Sequence, residues 1–471
     1  MDDDSTGRIV AALRAWVAAA PPGARLPSSR ALTAEHAASP VTVQRAVRRL
    51  ADEGLVESRP GVGTFVLAPR SPRPVDLGWQ TAALGAQPAR VPALSSTQRG
   101  VAPDAVALHS GYPAADLLPE RLVRAALARA ARTTAATTRS PATGLPELRQ
   151  WFASELAQTA PADTSPPSAR DVVVLSGSQS GLSSIFRALV GPGQPLLVES
   201  PTYWGAILAA AQAGVTLVPV PTGPAGPDPD DVARAFARTG ARVLYAQPTY
   251  ANPTGAQWSA ARGRAVLDVV REHGAFLVED DWAHDLAIDT DPRPLAAHDR
   301  DGHVVYLRSL TKSVSPALRV AALVARGPAR DRIVADRAAE SMYVSGLLQA
   351  AALDVVTRPA WRTHLRRHLR PALRDRRDAL LQALRTRAPE LHVEHVPAGG
   401  LNLWARLPDG LDPARVAREC EARGVVVAGG DEWFPAEPAG PYLRLNYSGP
   451  EADRFDEAAR VLGQVVEDRA L

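Results

Sequence analysis

Cysteine and lysine are nearly absent from this chain of 471 residues, which holds one of each, Cys420 and Lys312. A lone cysteine excludes an internal disulfide and fits a reducing cytoplasm. No apolar run approaches the roughly 18–20 residues that a membrane-spanning helix needs. The opening Met1-Asp2-Asp3-Asp4-Ser5 is acidic with no apolar run behind it, so no secretory signal is expected. What is present is ordinary: 46% hydrophobic and 22% charged residues exclude a wholly disordered chain. The length points to two or three domains. A formal net charge of +3 is too small to identify a partner for the chain as a whole.

The shortage of lysine is the more informative of the two. Lys and Arg together number 53 and all but Lys312 are arginine, a bias that a high-GC genome explains, as it does the Ala, Gly and Pro load. On a solvated face the two cations are nearly exchangeable. They differ where chemistry needs a primary amine that can lose its proton and attack a carbonyl, which guanidinium cannot do. Lys312 is therefore a candidate for Schiff-base chemistry, with a chance survivor as the alternative.

Charge is unevenly spread: residues 8–70 carry nine Arg against Glu35, Asp52, Glu53 and Glu57. The pattern there predicts a helix over 7–20 with Ile9, Leu13, Trp16 and Val17 on one stripe. A second helix follows the cap Ser28 and ends near Ala37, and Ser39-Pro40 caps a third over 41–53. In the third, Val43, Ala46, Val47 and Leu50 form a buried face, which leaves Thr42, Gln44, Arg45, Arg48 and Arg49 largely outward. Two β-prone runs around Pro60-Gly61-Val62-Gly63 then signal a hairpin. Three helices and a hairpin describe a winged helix-turn-helix. Its outward face suits a DNA major groove, where arginine reads guanine and glutamine reads adenine. Ser28 and Arg30 would lie over the phosphate backbone and the Gly61/Gly63 tip along an adjacent groove. The alternative is a solvated face in which Arg45, Arg48 and Arg49 pair with Asp52 and Glu53.

The string LPSSRALTAEHAASPVTVQRAVRRLADEGLVESRPGVGTFV resembles the GntR-type winged helix along nearly its full length. It departs at Pro40, Val41 and Gln44, where that family often has arginine or a small polar residue, so base preference does not carry over. The resemblance implies a DNA-binding domain over 5–68, with Ser28, Arg30, Thr42, Gln44, Arg45, Arg48, Gly61 and Gly63 as DNA-contacting residues. Residues 69–104, rich in Pro, Ala, Gln and Ser, read as a linker.

From residue 105 the texture becomes α/β. Buried strands are predicted at 172–175, 195–199, 215–220, 243–246, 275–279, 304–307 and 320–324. Helices at 180–190, 204–213, 229–238 and 259–273 separate most of them, which argues a mostly parallel sheet covered on both faces. Long Arg-rich helices over 359–387 lead to a C-terminal α+β subdomain, about 390–471, with strands near 392–396, 401–405 and 442–446.

Four signals fall at strand ends, where α/β sheets bind ligands. Ser176-Gly177-Ser178-Gln179-Ser180-Gly181 opens a helix and can cradle phosphate. Asn252-Pro253-Thr254-Gly255 offers an amide to a phenolate oxygen. Glu279-Asp280-Asp281 places a carboxylate that can keep a ring nitrogen protonated; a metal is not expected, because His284 and Asp285 alone are too few ligands. Ser309-Leu310-Thr311-Lys312, with Arg319 seven residues on, supplies an imine nitrogen and two phosphate donors. Together they describe a site for pyridoxal 5′-phosphate. Each alone has a plainer explanation: a capped turn, a Pro-Gly turn, a helix cap or chance.

Residues 105–471 resemble the fold-type I, class I aminotransferases, with the motifs in the family's order. The resemblance implies Lys312 as the Schiff-base lysine, Asp280 as the ring-nitrogen partner, Asn252 at the ring oxygen and Tyr203 stacked on the ring. It implies Gly177, Ser178, Gln179, Ser309 and Arg319 at the phosphate and Arg444 at a substrate or effector carboxylate. Two departures stand out. Trp282 occupies the place of a tyrosine that donates to the ring oxygen, and Arg139 that of a tyrosine that reaches the phosphate from a partner subunit. The first points away from efficient transamination more than from cofactor binding.

A GntR-type winged helix, a linker and an aminotransferase-like domain in one multi-domain chain resemble the MocR-type regulators. That implies double-stranded DNA and an amine, an amino acid or the cofactor itself as partners, and a homodimer, often head-to-tail. Two rivals stay open: a working aminotransferase with a DNA-binding appendage, and a cofactor site kept as a relic.

Overall fold

The computed structural model describes residues 2–67, 95–102, 104–162, 164–449 and 452–470, so the predicted linker lies outside the described residues as far as 94. The chain divides into two units, Met1–Gln87 and Pro88–Leu471. In the first, α1 (Asp2–Ala19), α2 (Ser29–Glu35) and α3 (Pro40–Asp52) precede an antiparallel hairpin of β1 (Val56–Arg59) and β2 (Gly63–Val66). Both short helices start where their sequence says. Ser28 Oγ accepts from Ala31 N (3.2 Å) and Ser39 Oγ accepts from Thr42 N (3.2 Å), satisfying amides that a helix leaves open.

Val43, Ala46 and Leu50 of α3 are wholly buried against Ile9, Leu13, Val17 and Leu32. At about 1.5–3 kcal/mol for each large apolar side chain removed from water, this face fixes which residues α3 shows to solvent. Gly61 and Gly63, at φ +75° and +144°, make a hairpin tip that side chains would strain. One expectation fails here. Thr42 is not outward but buried, with Oγ1 2.8 Å from Ser39 Oγ, because the cap draws it back against the turn.

The second unit is built on eight strands: β4 (Val172–Leu175), β5 (Pro195–Ser200), β6 (Thr216–Gly223), β7 (Gly226–Pro227), β8 (Val243–Ala246), β9 (Phe276–Asp281), β10 (Val304–Ser309) and β11 (Ala321–Val324). Their spatial order is β4-β11-β10-β9-β8-β5-β6-β7. The pairs β10–β9, β9–β8, β8–β5 and β5–β6 are parallel, while β11 runs antiparallel between β4 and β10. β4, β8 and β11 are apolar and buried throughout, as a sheet covered on both faces requires. Leu244, Leu277, Val172 and Val174 pack on one side, Val173, Tyr245, Val278 and Val305 on the other.

A smaller three-stranded sheet follows, of β12 (Asn402–Arg406), β14 (Ala428–Gly429) and β15 (Tyr442–Asn446). β13 (Val425–Val426) pairs in parallel with β3 (Val106–Ala107), so an early strand of the unit is tied to its C-terminal portion. The strand expected at 392–396 is a single bridge, His392 to Arg406. Val393 packs on the core there while Val396 stays exposed, so the segment follows the core without building a ladder.

Candidate functional site

The parallel strands all end on one side of the sheet, and a cleft with a cavity volume of about 220 Å³ opens there. Ser178, Gln179, Tyr203, Asn252, Asp280, Ser309, Lys312, Arg319 and Arg444 all line it. Widely separated in sequence, these residues are gathered by one cavity.

Asp280 shows how the sheet selects a carboxylate. Successive residues of a strand face opposite ways, and Glu279-Asp280-Asp281 obeys this. Glu279 turns from the cleft to accept the Leu295 and Ala296 amides (both 2.8 Å), and burial pushes its pKa up to about 8. Asp281 accepts from Tyr306 Oη (2.7 Å) and lies 2.6 Å from His284 Nδ1. Asp280 alone faces the cleft. Its Oδ2 accepts from Tyr245 Oη and Gln247 Nε2, both at 2.9 Å, while its buried Oδ1 has no partner among the described residues. Burial raises its pKa to about 6, against the pull of Gln247 and Tyr245.

Lys312 follows β10, its Nζ 3.2 Å from the Tyr112 ring centroid. Burial, then the charges of Arg444 and Arg319, hold its pKa well below the ordinary lysine value. Both causes favour the neutral, nucleophilic form of the amine over the charged one.

The turn after β4 lines the same cleft through Ser178 and Gln179. Gly177, at φ +104°, precedes the helix Ser178–Ile185, whose first amides are free of helical partners. A Cβ on Gly177 would stand 2.5 Å from Arg319 Nη2, so glycine lets that guanidinium close on the turn. Ser178 Oγ and Asn252 Oδ1 are buried without partners among the described residues. Gln179 Nε2 is committed to Gly205 O (2.7 Å), which leaves its backbone amide rather than its side chain for an anion. Ser309 Oγ accepts from Thr311 N (3.1 Å) and keeps its own proton to donate.

Arg444, on β15, is 1% exposed. Nη1 donates to His109 O (3.0 Å) and Nη2 to Ser110 O (3.3 Å), the guanidinium lies 5.3 Å from the Trp433 ring centroid, and Nε has no partner among the described residues. Burial lowers its pKa to about 10, partly offset by Glu432. Trp282 also lines the cleft, but its Nε1 donates to Tyr250 O (3.1 Å) and so is not free for a ring oxygen. Arg139 is exposed and outside the cleft lining.

Sequence reasoning missed Tyr245, Gln247 and Tyr112. The first two sit at i and i+2 about the end of β8, a spacing that places both beside Asp280. Tyr112 carries no local signal. Among the described residues no cluster of three His, Cys, Asp or Glu could hold a metal, and no helix is long and apolar enough to cross a membrane.

In the first unit, Gln44, Arg45, Arg48 and Arg49 of α3 are exposed, as are Ser28, Arg30 and Gly61. Arg49 is partly tied, its Nε 3.7 Å from Glu53 Oε1, and Glu53 also holds Arg14 (2.5 Å). Arg45 and Arg48 form no ion pair among the described residues. The predicted contact face therefore keeps two unpaired guanidinium groups and loses Thr42.

A winged helix ahead of an α/β domain with one buried lysine at its strand ends defines a two-module chain, a reader joined to a transferase-type fold. Residues 103–462 match the model of the aminotransferase class I and II family, and the chain belongs to that family. Residues 5–66 match the bacterial regulatory proteins of the gntR family. An uncharacterized HTH-type transcriptional regulator of Bacillus subtilis, YdfD, is 26% identical over 96% of this chain and 93% of its own. The probable rhizopine catabolism regulatory protein MocR of Rhizobium meliloti is 28% identical over 93% and 88%. The crystal structure of LysN, the alpha-aminoadipate aminotransferase of Thermus thermophilus, complexed with N-(5′-phosphopyridoxyl)-L-leucine, superposes with a TM-score of 0.72. It is 28% identical, and the match covers 79% of this chain and 96% of that one. The chain is thus a GntR-type winged helix fused to a class I aminotransferase domain, the arrangement of the MocR-type regulators.

Proposed function

We propose that this protein is a cytoplasmic, pyridoxal-phosphate-dependent transcriptional regulator. It reads duplex DNA through α3 and the wing, and it senses the cofactor, an amine or an amino acid through the Lys312 cleft, as a homodimer. The observation that carries the reading is the coincidence of the chain's one lysine with a buried carboxylate that keeps an unpaired oxygen in the same cleft.

The residues fit that cofactor. Asp280 Oδ1 is a free buried acceptor suited to a protonated ring nitrogen, and Tyr245 and Gln247 fix the carboxylate through its other oxygen. Arg319, Ser309, Ser178 and the amides after Gly177 form a donor set for a phosphate dianion. Asn252 and Tyr203 stand at the cleft wall for the ring oxygen and the ring face. When bound, pyridoxal phosphate supplies an aldehyde for the lysine and a protonated ring that withdraws electrons. Lys312 holds a neutral amine for that aldehyde, Asp280 holds the ring proton, and Arg444 takes a ligand carboxylate. The reader contributes Gln44, Arg45 and Arg48 to base edges or phosphates, Ser28 and Arg30 to the backbone, and Gly61 and Gly63 to the groove beside the wing. A ligand shifts DNA binding only by favouring one state of the protein over another.

A working aminotransferase is the second reading, favoured by Lys312, Asp280 and Arg444 sharing one cleft. Against it, the Trp282 indole N–H is already engaged by Tyr250 O. A titration of DNA binding on the upstream intergenic region, with and without cofactor and an amine panel, tests the regulator. Binding that changes with cofactor or amine supports it; indifference to both would leave the cleft a relic. Loss of the visible band with an amino donor, and its recovery with a keto acid at useful rates, would favour the enzyme.

A further inference from the structure

Two residues lining the cleft come from an unexpected place. Thr97 and Gln98 belong to the short turn Ser96–Gln98, within the stretch 69–104 that the sequence marks as a linker. The turn is held tightly. Ser95 Oγ (2.9 Å) and Ser96 Oγ (2.7 Å) donate to Glu432 Oε1, and Ser96 N donates to Oε2 (3.2 Å), so one carboxylate accepts three hydrogen bonds. Ser95 is 1% exposed. Just beyond the turn, Arg99 O lies 3.1 Å from His109 Nε2, and the Arg99 side chain pairs with Glu421 (3.2 Å).

Both anchors lead to Arg444. His109, which holds Arg99 through its ring, accepts from Arg444 Nη1 through its carbonyl. Glu432 precedes Trp433, on which the Arg444 guanidinium rests. The carboxylate-binding arginine is therefore wired to the 95–99 segment by two routes.

The wall also limits what can bind. Its charged groups are Asp280, Lys312, Arg319 and Arg444. In the function proposed above, on which this inference rests, the first three serve the cofactor and the fourth a carboxylate. The remaining wall is uncharged, with Thr97, Gln98, Tyr112, Trp204 and Leu208 among its residues. Among the described residues of this chain a second charge on the ligand would find no buried partner there, and an unpaired charge is costly to bury.

We propose that Thr97 and Gln98 are ligand-contacting, specificity-determining residues of the Lys312 cleft, and that the ligand they complete is an amino acid with one carboxylate and an uncharged side chain. The effector is then gripped in part by the chain segment that leads from the DNA reader.

The test uses the full chain loaded with pyridoxal phosphate and titrated with L-leucine, L-glutamine, L-glutamate and L-lysine. The visible band reports occupancy, and amide hydrogen exchange of residues 95–100 is followed in parallel. Leucine or glutamine should half-saturate at concentrations about tenfold or more below glutamate and lysine, and should slow exchange in the segment. Gln98→Ala should weaken the preferred ligand about 3- to 10-fold, the range of one hydrogen bond. Gln98→Glu should turn preference towards L-lysine, a gain that general damage to the fold does not produce. The inference is overturned if the unaltered chain, the Gln98→Ala variant and the Gln98→Glu variant rank the ligands alike, or if exchange over 95–100 ignores ligand. Either result leaves the cofactor reading standing. A chain with no cofactor band overturns both.

Discussion

The two modules handle charge in opposite ways. On α3 the guanidinium groups of Arg45 and Arg48 stand in water, whereas in the cleft Asp280, Lys312 and Arg444 are buried with displaced pKa values. Exposed charges act over a Debye length and are screened by salt. Buried ones are barely screened, and each neighbour changes what the others do. The reader's recognition should therefore be salt-dependent, while the cleft's should be pH-dependent and little affected by salt.

The largest expected effect breaks the cleft outright. Lys312→Ala should abolish the visible band of the cofactor-loaded chain, and a borohydride-reducible adduct at any other position would overturn the assignment. Next, Leu50→Ala, at a wholly buried site of α3, should destabilise the reader by about 2–5 kcal/mol. In so small a module that suffices to unfold it; a melt that keeps its low-temperature transition would show that the α3 core matters less than its burial implies. Asp280→Asn removes the charge from a charge-assisted hydrogen bond and should weaken cofactor retention by about 1.5–3 kcal/mol, read by equilibrium dialysis.

A smaller effect is expected in the reader. Arg45→Ala with Arg48→Ala should lower the slope of log K against log salt by about 0.9 for each phosphate no longer neutralised. An unchanged slope would put the DNA interface elsewhere. The smallest is a pH shift. The Arg444 charge lowers the Lys312 pKa, so Arg444→Gln should raise it, leave less neutral amine at a given pH and move cofactor uptake to higher pH. Burial remains the larger cause and caps the shift. Colour development followed from neutral to alkaline pH checks it, and a move to lower pH would contradict the sign.

Much of the fold and of the site is legible in the sequence, and for identifiable reasons. The strands declared themselves because a covered parallel sheet needs unbroken apolar runs, and the helix starts because Ser28 and Ser39 are good caps. Lys312 stood out by rarity and the run Glu279-Asp280-Asp281 because it ends a very apolar strand, while the choice of Asp280 among the three came from the family resemblance. What stayed hidden depends on neighbours remote in sequence. Nothing local marks Gln247 as a brace for Asp280 33 residues away, or Glu432 as a tether for Ser95 337 residues away. Thr42 was misplaced for a different reason: helical spacing put it outward, but the cap bond to Ser39 turned it in. Trp282 shows the limit of reading by substitution. Its chemistry suggested a poor donor to a ring oxygen, whereas the backbone of Tyr250 has claimed that donor altogether.

Lysine scarcity also has a practical side. Reagents that acylate or alkylate amines have one side-chain target in the whole polypeptide, at the floor of the ligand cavity. Read at the Lys312 peptide, so that label on the chain's α-amine does not count, such chemistry reports on that cavity without engineering, and loss of label there follows its filling.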